Sequence, residues 1–238
     1  MFPDLSLIIP CYNEEENIAK IYKEIYQLNL EAINLEVLFV NNGSIDSTEV
    51  EIQKVITKNI KKNLNIKLVN IKKNLNYDGG IYNGLKNANG KYLSWTHGDL
   101  KTPIKDVIKL YNKLKNKNKV FGKGVRTNNR GYDSIISKFH EKLCSLVLGY
   151  NMREINAQPK IFEKKFFHLF SNPPIKYTKI DTYFYYTSLR NNFEIEELDV
   201  IFKSRIHGVS KWKNNFLTFI THIFMNFLYL FQLKLFKK

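Results

Sequence analysis

The sequence predicts an α/β fold in which a mostly parallel, Rossmann-like sheet carries helices on both faces. Short apolar runs such as LSLIIP, LEVLFVN and NIKLVNI alternate with longer segments whose apolar residues recur at helical spacing. The runs are continuously apolar, which is typical of strands covered on both sides. The chain has 238 residues, 44% of them hydrophobic, so it can bury a large core without disulfide bonds.

The first half of the chain predicts four strands with a helix after each of the first three. The strand at residues 5–10 precedes a helix that places Ile18, Ile21 and Ile25 on one face. LEVLFVN leads to a second helix, which Asp46 or Ser47 can cap. NIKLVNI precedes a helix opening at DGGIYNGLKNA, and KYLSWTH forms the fourth strand.

The second half predicts a less regular arrangement. TPIKDVIKLYNKLKN reads as a helix with Pro103 near its start, KVFGKGVR as a strand and YDSIISKFHEKLCSLVLGY as a longer helix. INAQPKIF and EIEELDVIFKSRIHG are predicted strands on either side of the helix KIDTYFYYTSLRNN. There is no internal repeat or linker-like segment, so we expect one domain over residues 1–212 and a hydrophobic helix over 213–238.

Charge and cysteine content narrow the class of protein. The net charge of +15 favours an anionic partner, namely phosphates, nucleic acid or a membrane surface. The lysines are dispersed and no nucleic-acid-binding signature occurs, so we predict no nucleic-acid partner. Cys11 and Cys144 lack metal-ligand spacing and are expected to be buried or incidental thiols in a reducing compartment. The first residues do not resemble a secretory signal, which predicts a cytoplasmic protein.

Polar residues collect where the predicted parallel strands end. The three strand ends are residues 10–14, 41–46 and 96–100, reading PCYNE, NNGSID and THGDL. In open α/β sheets, ligands bind at the carboxyl ends of the strands. We therefore expect the functional site at this edge of the sheet.

Several blocks in order resemble a known family. LSLIIPCYNEEENI, FVNNGSIDST, the segment from NLNYDGG to HGDL, and ELDVIFKSRIHGVSKW are together similar to family 2 glycosyltransferases of the GT-A fold. Within that family the similarity is greatest to enzymes that act on polyprenyl phosphates, such as dolichol-phosphate mannose synthase. The resemblance covers residues 4–212. It implies an inverting glycosyltransferase with a nucleotide-sugar donor.

The resemblance implies donor-binding residues at the first two strand ends. Positions matching Pro10, Tyr12 and Glu14 surround the base and ribose in such enzymes, as does the turn containing Asn42, Ser44 and Asp46. Gly80 belongs to the same implied donor site. A purely structural tight turn at Asn41–Ser44 is the alternative. Relatives often carry aspartates where this chain has Asn41 and Asn42, so the identity of the base stays open.

His97, Gly98 and Asp99 stand where the family has an Asp-x-Asp element that holds a divalent cation against the donor diphosphate. The resemblance thus implies Mg²⁺ or Mn²⁺ bound by Asp99, with His97 in place of the first Asp. An imidazole ligand favours Mn²⁺ over Mg²⁺. His97 could instead contact the diphosphate or be a structural histidine.

Further residues are implied on the acceptor side. Asp181 matches an acidic position near the acceptor and is the candidate general base, with helix capping as its alternative. Arg126 and Arg130 are candidate phosphate ligands, because the guanidinium suits bidentate contacts, and surface arginine is their alternative. Gln158 resembles an acceptor-side residue or is an amide at a strand edge. A loop that closes over the donor phosphates is implied at Arg205, His207, Ser210 and Lys211.

The segment NNFLTFITHIFMNFLYLFQL contains no formally charged residue. It predicts a helix near bilayer length, but Thr218, His222, Met225, Tyr229 and Gln232 would form a mildly polar stripe. The stripe favours an interfacial or protein-packed helix over a membrane span.

The predicted function is transfer of a sugar to a polyprenyl phosphate or cell-envelope glycan by a protein peripheral to the cytoplasmic face of the membrane. Two rivals are a nucleotidyltransferase and a basic nucleic-acid-binding module. The glycine- and arginine-rich first loop expected of the former is absent from PCYNEEEN.

Overall fold

The computed structural model describes residues 2–128, 132–173, 179–202 and 216–236. Within these ranges seven strands form one sheet in the order β3-β2-β1-β4-β6-β5-β7. The strands are β1 (Leu5–Cys11), β2 (Leu35–Asn42), β3 (Leu64–Ile71), β4 (Tyr92–Trp95), β5 (Val120–Arg126), β6 (Lys160–Glu163) and β7 (Glu194–Val200).

The sheet is mostly parallel, as predicted. β1 pairs in parallel with β2 and β4, β2 with β3, and β5 with β7. β6 runs antiparallel to both β4 and β5. This strand is shorter than the predicted INAQPKIF, because its pairing with β4 begins at Lys160, directly after Pro159, whose nitrogen carries no proton.

Seven α-helices lie within the described ranges, and the predicted helices are all present. They are α1 (Glu15–Tyr26), α2 (Thr48–Lys58), α3 (Asn76–Asn87), α4 (Lys105–Leu114), α5 (Tyr132–Leu148), α6 (Ile180–Arg190) and α7 (Phe216–Leu235). A 3-10 helix at Lys164–Phe170 was not predicted. The predicted cap of α2 is supplied by Asp46, whose Oδ1 accepts the N–H of Thr48 at 3.0 Å.

Each face of the sheet is covered by its own apolar core. Helices α1, α2 and α4 contribute residues such as Ile21, Ile52 and Leu110 to one core. Helices α3, α5, α6 and α7 contribute to the other, which includes Ile81 and Phe184. Cys11 and Cys144 are free and buried, as predicted.

A buried carboxylate joins strands at the edge of the sheet opposite the predicted site. The side chain of Glu36 is fully buried, and its oxygens accept hydrogen bonds from Ser6 Oγ at 2.5 Å, Asn89 N at 2.8 Å and Lys67 Nζ at 2.7 Å. Burial raises the pKa of Glu36, but the hydrogen bonds from Lys67, Ser6 and Asn89 outweigh it, so the pKa lies below the ordinary value. The group is therefore an ionised, fully paired structural carboxylate.

Helix α7 packs against α5 with one face and exposes apolar side chains on another. Its buried residues include Asn226, Tyr229, Leu230 and Leu233. The predicted polar stripe does not form one surface, because Tyr229 is 2% exposed whereas Met225 is 58% exposed and Gln232 is also exposed. Within the described ranges, no helix combines the length and apolarity needed to cross a bilayer.

Candidate donor and acceptor site

The loops that follow β1 and β2 are hydrogen-bonded to each other. The N–H of Asn13 donates to Ser44 Oγ at 3.1 Å, and Asn13 Oδ1 accepts the N–H of Ile45 at 3.0 Å. The N–H of Glu14 donates to Thr48 Oγ1 at 2.8 Å. These bonds bring the predicted donor residues at both strand ends into one polar rim, where Tyr12 is 37% exposed.

Asp46 stabilises this rim through hydrogen bonds to the first residues of α1 and α2. Its Oδ1 accepts the hydroxyl of Thr48 at 2.5 Å, and its Oδ2 accepts the N–H of Glu15 at 3.3 Å. The carboxylate thereby bridges the starts of α1 and α2. It contributes to the shape of the predicted donor pocket through these structural contacts.

Asn42 connects the same rim to the segment before α3. Its Nδ2 donates to the carbonyl of Asn76 at 2.8 Å, and its Oδ1 accepts the N–H of Leu75 at 3.0 Å. Gly80 allows α3 to approach this point, because a Cβ there would lie 3.2 Å from Pro10 Cβ and 3.3 Å from Asn42 Nδ2. The turn after Asn42 also meets the tight-turn expectation, since Gly43 has φ +72°.

The end of β4 places His97 and Asp99 beside the end of β1. A Cβ on Gly98 would stand 2.7 Å from the carbonyl oxygen of Pro10, so only glycine permits this approach. The His97 ring lies 5.3 Å from the ring of Tyr77 and 6.0 Å from that of Phe202. Burial lowers the pKa of His97 although Asp99 and Asp181 oppose the shift, so the imidazole is neutral at pH 7.

The donor set at the end of β4 is one carboxylate and one neutral imidazole. Among the described residues no group of three or more His, Cys, Asp or Glu could hold a metal ion. Lys101 Nζ lies 3.6 Å from Asp99 Oδ2. A neutral imidazole and a carboxylate are both ligands that Mn²⁺ accepts. The residues therefore fit a divalent cation, to which they would supply one carboxylate and one imidazole ligand.

Asp181 lies in the first turn of α6 and is 6% exposed. Its Oδ1 accepts hydrogen bonds from Trp95 Nε1 at 3.1 Å and from Gln158 Nε2 at 2.9 Å. Trp95 stands two residues before His97, so Asp181 adjoins the end of β4. The predicted acceptor-side residues Asp181 and Gln158 are thus in direct contact, and Gln158 is fully buried.

The cap of α6 is supplied by Asp78, a residue that the sequence did not identify. Asp78 lies in the first turn of α3, and its Oδ1 accepts the N–H of Ile180 at 2.8 Å. Burial raises the pKa of Asp78 to about 6, and the nearby charge of Asp181 adds to the rise. Helix capping was the alternative role for Asp181, and in the structure Asp78 performs it instead.

Arg126, at the end of β5, is paired with an acidic partner. Its Nε donates to Glu154 Oε2, and its guanidinium carbon lies 5.6 Å from the ring centre of Phe202. The Arg126 side chain is 6% exposed. The other predicted cationic and loop residues, Arg130, Arg205, His207, Ser210 and Lys211, lie outside the described residues.

Solved structures with the same fold bind nucleotides. The mannosyltransferase PcManGT of Pyrobaculum calidifontis, solved with GDP-Man and Mn²⁺, is 16% identical with a TM-score of 0.65 over 90% of this chain and 59% of that one. Glucosyl-3-phosphoglycerate synthase of Mycobacterium tuberculosis, solved with Mn²⁺, UDP and phosphoglyceric acid, is 14% identical with a TM-score of 0.68 over 99% and 80%. The α/β architecture is consistent with the GT-A fold.

Sequence relatives agree with this fold. An uncharacterized glycosyltransferase of Synechocystis is 24% identical over 88% of this chain and 64% of its own length. The dodecaprenyl-phosphate galacturonate synthase of Rhizobium johnstonii is 22% identical over 88% and 62%. The dolichol-phosphate mannosyltransferase of Pyrococcus furiosus is 29% identical over 47% and 30%. The chain spans just under two thirds of the length of the first two.

The family model for glycosyl transferase family 2 matches residues 6–184. The chain belongs to this family, which confirms the resemblance drawn from its sequence blocks. The matched range contains both strand-end loops, the His97–Asp99 segment and Asp181.

Proposed function

We propose that the chain is an inverting glycosyltransferase that moves a sugar from a nucleoside-diphosphate donor to an acceptor. The observation that carries this proposal is the junction at the end of β4. Trp95, which lies two residues before His97, donates a hydrogen bond to Asp181. The candidate cation ligands therefore lie close to a candidate base. Family membership and the names of the relatives support the same reaction class.

The donor nucleotide would bind on the rim formed by the β1 and β2 loops. Tyr12 and Glu14 on the first loop, together with the turn from Asn42 to Asp46, would contact the base and ribose. The hydrogen bonds between Asn13, Ser44 and Ile45 hold the two loops in register. A site that is formed before the donor arrives loses less conformational entropy on binding.

Asp99 and His97 would hold the divalent cation. When bound, Mg²⁺ or Mn²⁺ supplies positive charge against the departing diphosphate. The residues at the end of β4 contribute a fixed backbone, because Gly98 packs against the carbonyl of Pro10. The neutral state of His97 keeps its ring available as a ligand.

Two acceptor classes follow from different observations. The buried, hydrogen-bonded Asp181 favours a glycan hydroxyl, which needs a base to remove its proton. The relatives named for dodecaprenyl and dolichol phosphates favour a lipid phosphate, whose oxygen is already ionised. The pairing of Arg126 with Glu154 compensates its charge and makes it a weaker phosphate ligand, so we place the hydroxyl acceptor first.

The chain would act at the cytoplasmic face of a membrane as a peripheral protein. Helices α5 and α7 expose apolar side chains, namely Ile135 (64%), Phe139 (53%), Leu146 (82%), Met225 (58%), Leu228 (41%) and Phe231 (46%). Lys138, Lys142 and Lys234 accompany them on the same helices. Apolar side chains with basic neighbours are suited to an anionic lipid surface.

The donor and the metal can be tested together through Asp99. We expect UDP- or GDP-sugars to raise the Tm of the wild-type chain more strongly with Mn²⁺ present, since a bound ligand stabilises by mass action. Asp99→Asn should weaken Mn²⁺-dependent donor binding on the order of tenfold or more, because a charged ligand is lost. A thermal-shift assay measures the Tm, and isothermal titration calorimetry measures the donor affinity.

The matched control for Asp99→Asn is Glu163→Gln, which removes a carboxylate at the opposite edge of the sheet, where Glu163 pairs with Tyr92. This variant should bind donor like the wild type. Equal Mn²⁺ dependence in the Asp99 and Glu163 variants would contradict the metal assignment. An absence of binding by any nucleotide sugar would contradict the function itself.

Membrane association is tested by two changes on the exposed face of α7. Leu228→Gln combined with Phe231→Gln should lower binding to vesicles of mixed neutral and anionic lipid by about tenfold or more, because burying each large apolar side chain contributes ~1.5 kcal/mol or more. Co-sedimentation measures the bound fraction. Ile60→Gln, at a site 85% exposed outside α5 and α7, is the control. Wild-type protein that stays in the supernatant would rule out the membrane surface.

A further inference from the structure

The two oxygens of the Asp181 carboxylate differ in the contacts they make with the protein. Oδ1 accepts from Trp95 Nε1 and Gln158 Nε2, and Lys160 Nζ lies 3.8 Å from the same atom. Among the residues that the structure describes, no hydrogen bond to Oδ2 is found, and the side chain retains 8% exposure. Within the described ranges, one oxygen is therefore bound by protein groups, whereas the other accepts no hydrogen bond.

The three groups around Oδ1 are themselves held in place. Trp95 is fully buried, with its ring edge-on to those of Phe162 and Phe184. Lys160 Nζ donates to the carbonyl of Ile155 at 2.8 Å and also to that of Ala157. Burial and these contacts restrict the movement of Trp95 and Lys160, so they can define the orientation of a carboxylate.

In its protonated form, Lys160 supplies a positive charge next to Asp181 as well as a fixed contact. Its side chain is fully buried, and burial lowers its pKa to about 7 although the carboxylate of Asp181 opposes the shift. When Lys160 is protonated, two carbonyl groups and one carboxylate compensate the buried ammonium, so the ion pair has the further hydrogen bonds that such a pair needs. The position of Lys160 depends on Asp181 and on the segment that carries Gln158.

Asp181 is not needed to cap its helix. Asp78 accepts the N–H of Ile180 at 2.8 Å and performs that role from α3. Asp181 instead contacts Trp95 in β4, Gln158 in the segment before β6, and Lys160 at the start of β6.

We propose that Trp95, Gln158 and Lys160 are positioning residues that engage Oδ1 of Asp181 and thereby present Oδ2 to the acceptor hydroxyl. This inference rests on the proposed function, in which Asp181 is the general base. In the transfer step the acceptor oxygen forms a bond to the anomeric carbon while its proton passes to Oδ2. The bond from that carbon to the diphosphate oxygen breaks, and its electron pair leaves with the nucleoside diphosphate.

Two substitutions remove one donor each with little other change. Trp95→Phe keeps an aromatic ring against Phe162 and Phe184 but loses the N–H. Gln158→Met has similar length and also removes Gln158 Oε1, a buried atom without a partner among the described residues. Because an unpaired buried acceptor is lost along with the donor, the second variant should fold.

Kinetics distinguish positioning from a purely structural role. The probe is release of nucleoside diphosphate from UDP-glucose or GDP-Man in Mn²⁺, with alkyl glycosides or water as the hydroxyl acceptor. Each variant should lower kcat on the order of tenfold with an unchanged donor KM, since small displacements of a reacting group are costly. Tyr92→Phe is the matched control, because it removes a β4 hydroxyl that bonds to Lys115 O instead, and it should leave kcat unchanged.

A double-variant cycle completes the test. If Gln158 acts only through Asp181, adding Gln158→Met to Asp181→Asn should cause no further loss of kcat. Full multiplicative loss in the double variant, or wild-type kcat in both single variants, would overturn the positioning role. A wild-type chain that releases no nucleoside diphosphate from either donor would instead overturn the proposed function, so the two failures are separate.

Discussion

Asp181→Asn is expected to reduce transfer to a hydroxyl acceptor by about a hundredfold or more while donor affinity stays the same. The asparagine keeps the size of the side chain and an oxygen that can accept from Trp95 and Gln158. It loses the ability to take the acceptor proton. Initial rates at saturating donor, together with calorimetric donor binding, measure the two effects separately.

The companion variant Arg126→Lys identifies the acceptor class. With a hydroxyl acceptor, Arg126→Lys should have little effect, because Glu154 already engages the guanidinium. With a lipid phosphate acceptor, the lysine would lose bidentate contacts and acceptor affinity would fall, while Asp181→Asn would be mild. Acceptor saturation curves for both variants decide between these outcomes. Weak donor binding by the Arg126 variant would contradict its placement on the acceptor side.

Glu36→Gln is expected to lower the free energy of unfolding by about 2–4 kcal/mol at pH 7. The change leaves Lys67 without its partner and places an amide beside the buried donors Ser6 Oγ and Asn89 N–H. Urea denaturation monitored by fluorescence measures the loss. Glu51→Gln is the control, since its partner Lys54 is 56% exposed and such pairs contribute little.

The same carboxylate predicts a pH dependence of stability. Because the folded-state pKa of Glu36 is below its ordinary value, its contribution is present at neutral pH and is lost as the pH falls through that folded-state pKa. The stability difference between wild type and Glu36→Gln should therefore narrow on acidification. If the stability difference between wild type and Glu36→Gln stays constant from pH 7 down to the pH of acid unfolding, ionisation of Glu36 is not involved.

The sheet and its polar edge could be predicted because their signals are local. Continuous apolar runs identified the strands, and the parallel arrangement placed PCYNE, NNGSID and THGDL at one edge. The Asn13 to Ser44 hydrogen bond confirms that the first two of these ends meet. Asn41 and Asn42, read as departures from a family pattern, bond to Asn70 and Asn76, which no local pattern indicates.

The contacts around Asp181 could not be predicted from the sequence, because they join residues that are far apart along the chain. Trp95 and Asp181 are 86 residues apart, and Asp78 and Ile180 are 102 apart. In the sequence Trp95 reads as a core aromatic, Lys160 as one lysine among many and Asp78 as a residue at a helix start. Only the antiparallel pairing of β6 with β4 brings Lys160 opposite Trp95. Predicting that contact requires the strand order, which the sequence does not specify.

The bond from Asp78 to the start of α6 has a consequence for recombining members of this family. A chimera that joined the donor-binding half of one protein to the acceptor-binding half of another would separate Asp78 from the N–H of Ile180, and Trp95 from Asp181. In such a chimera the proposed base, Asp181, would lose the contact that caps its helix and the indole N–H that donates to it. Exchange of acceptor preference is therefore expected to succeed only when residues 78 and 95 are transplanted with α6.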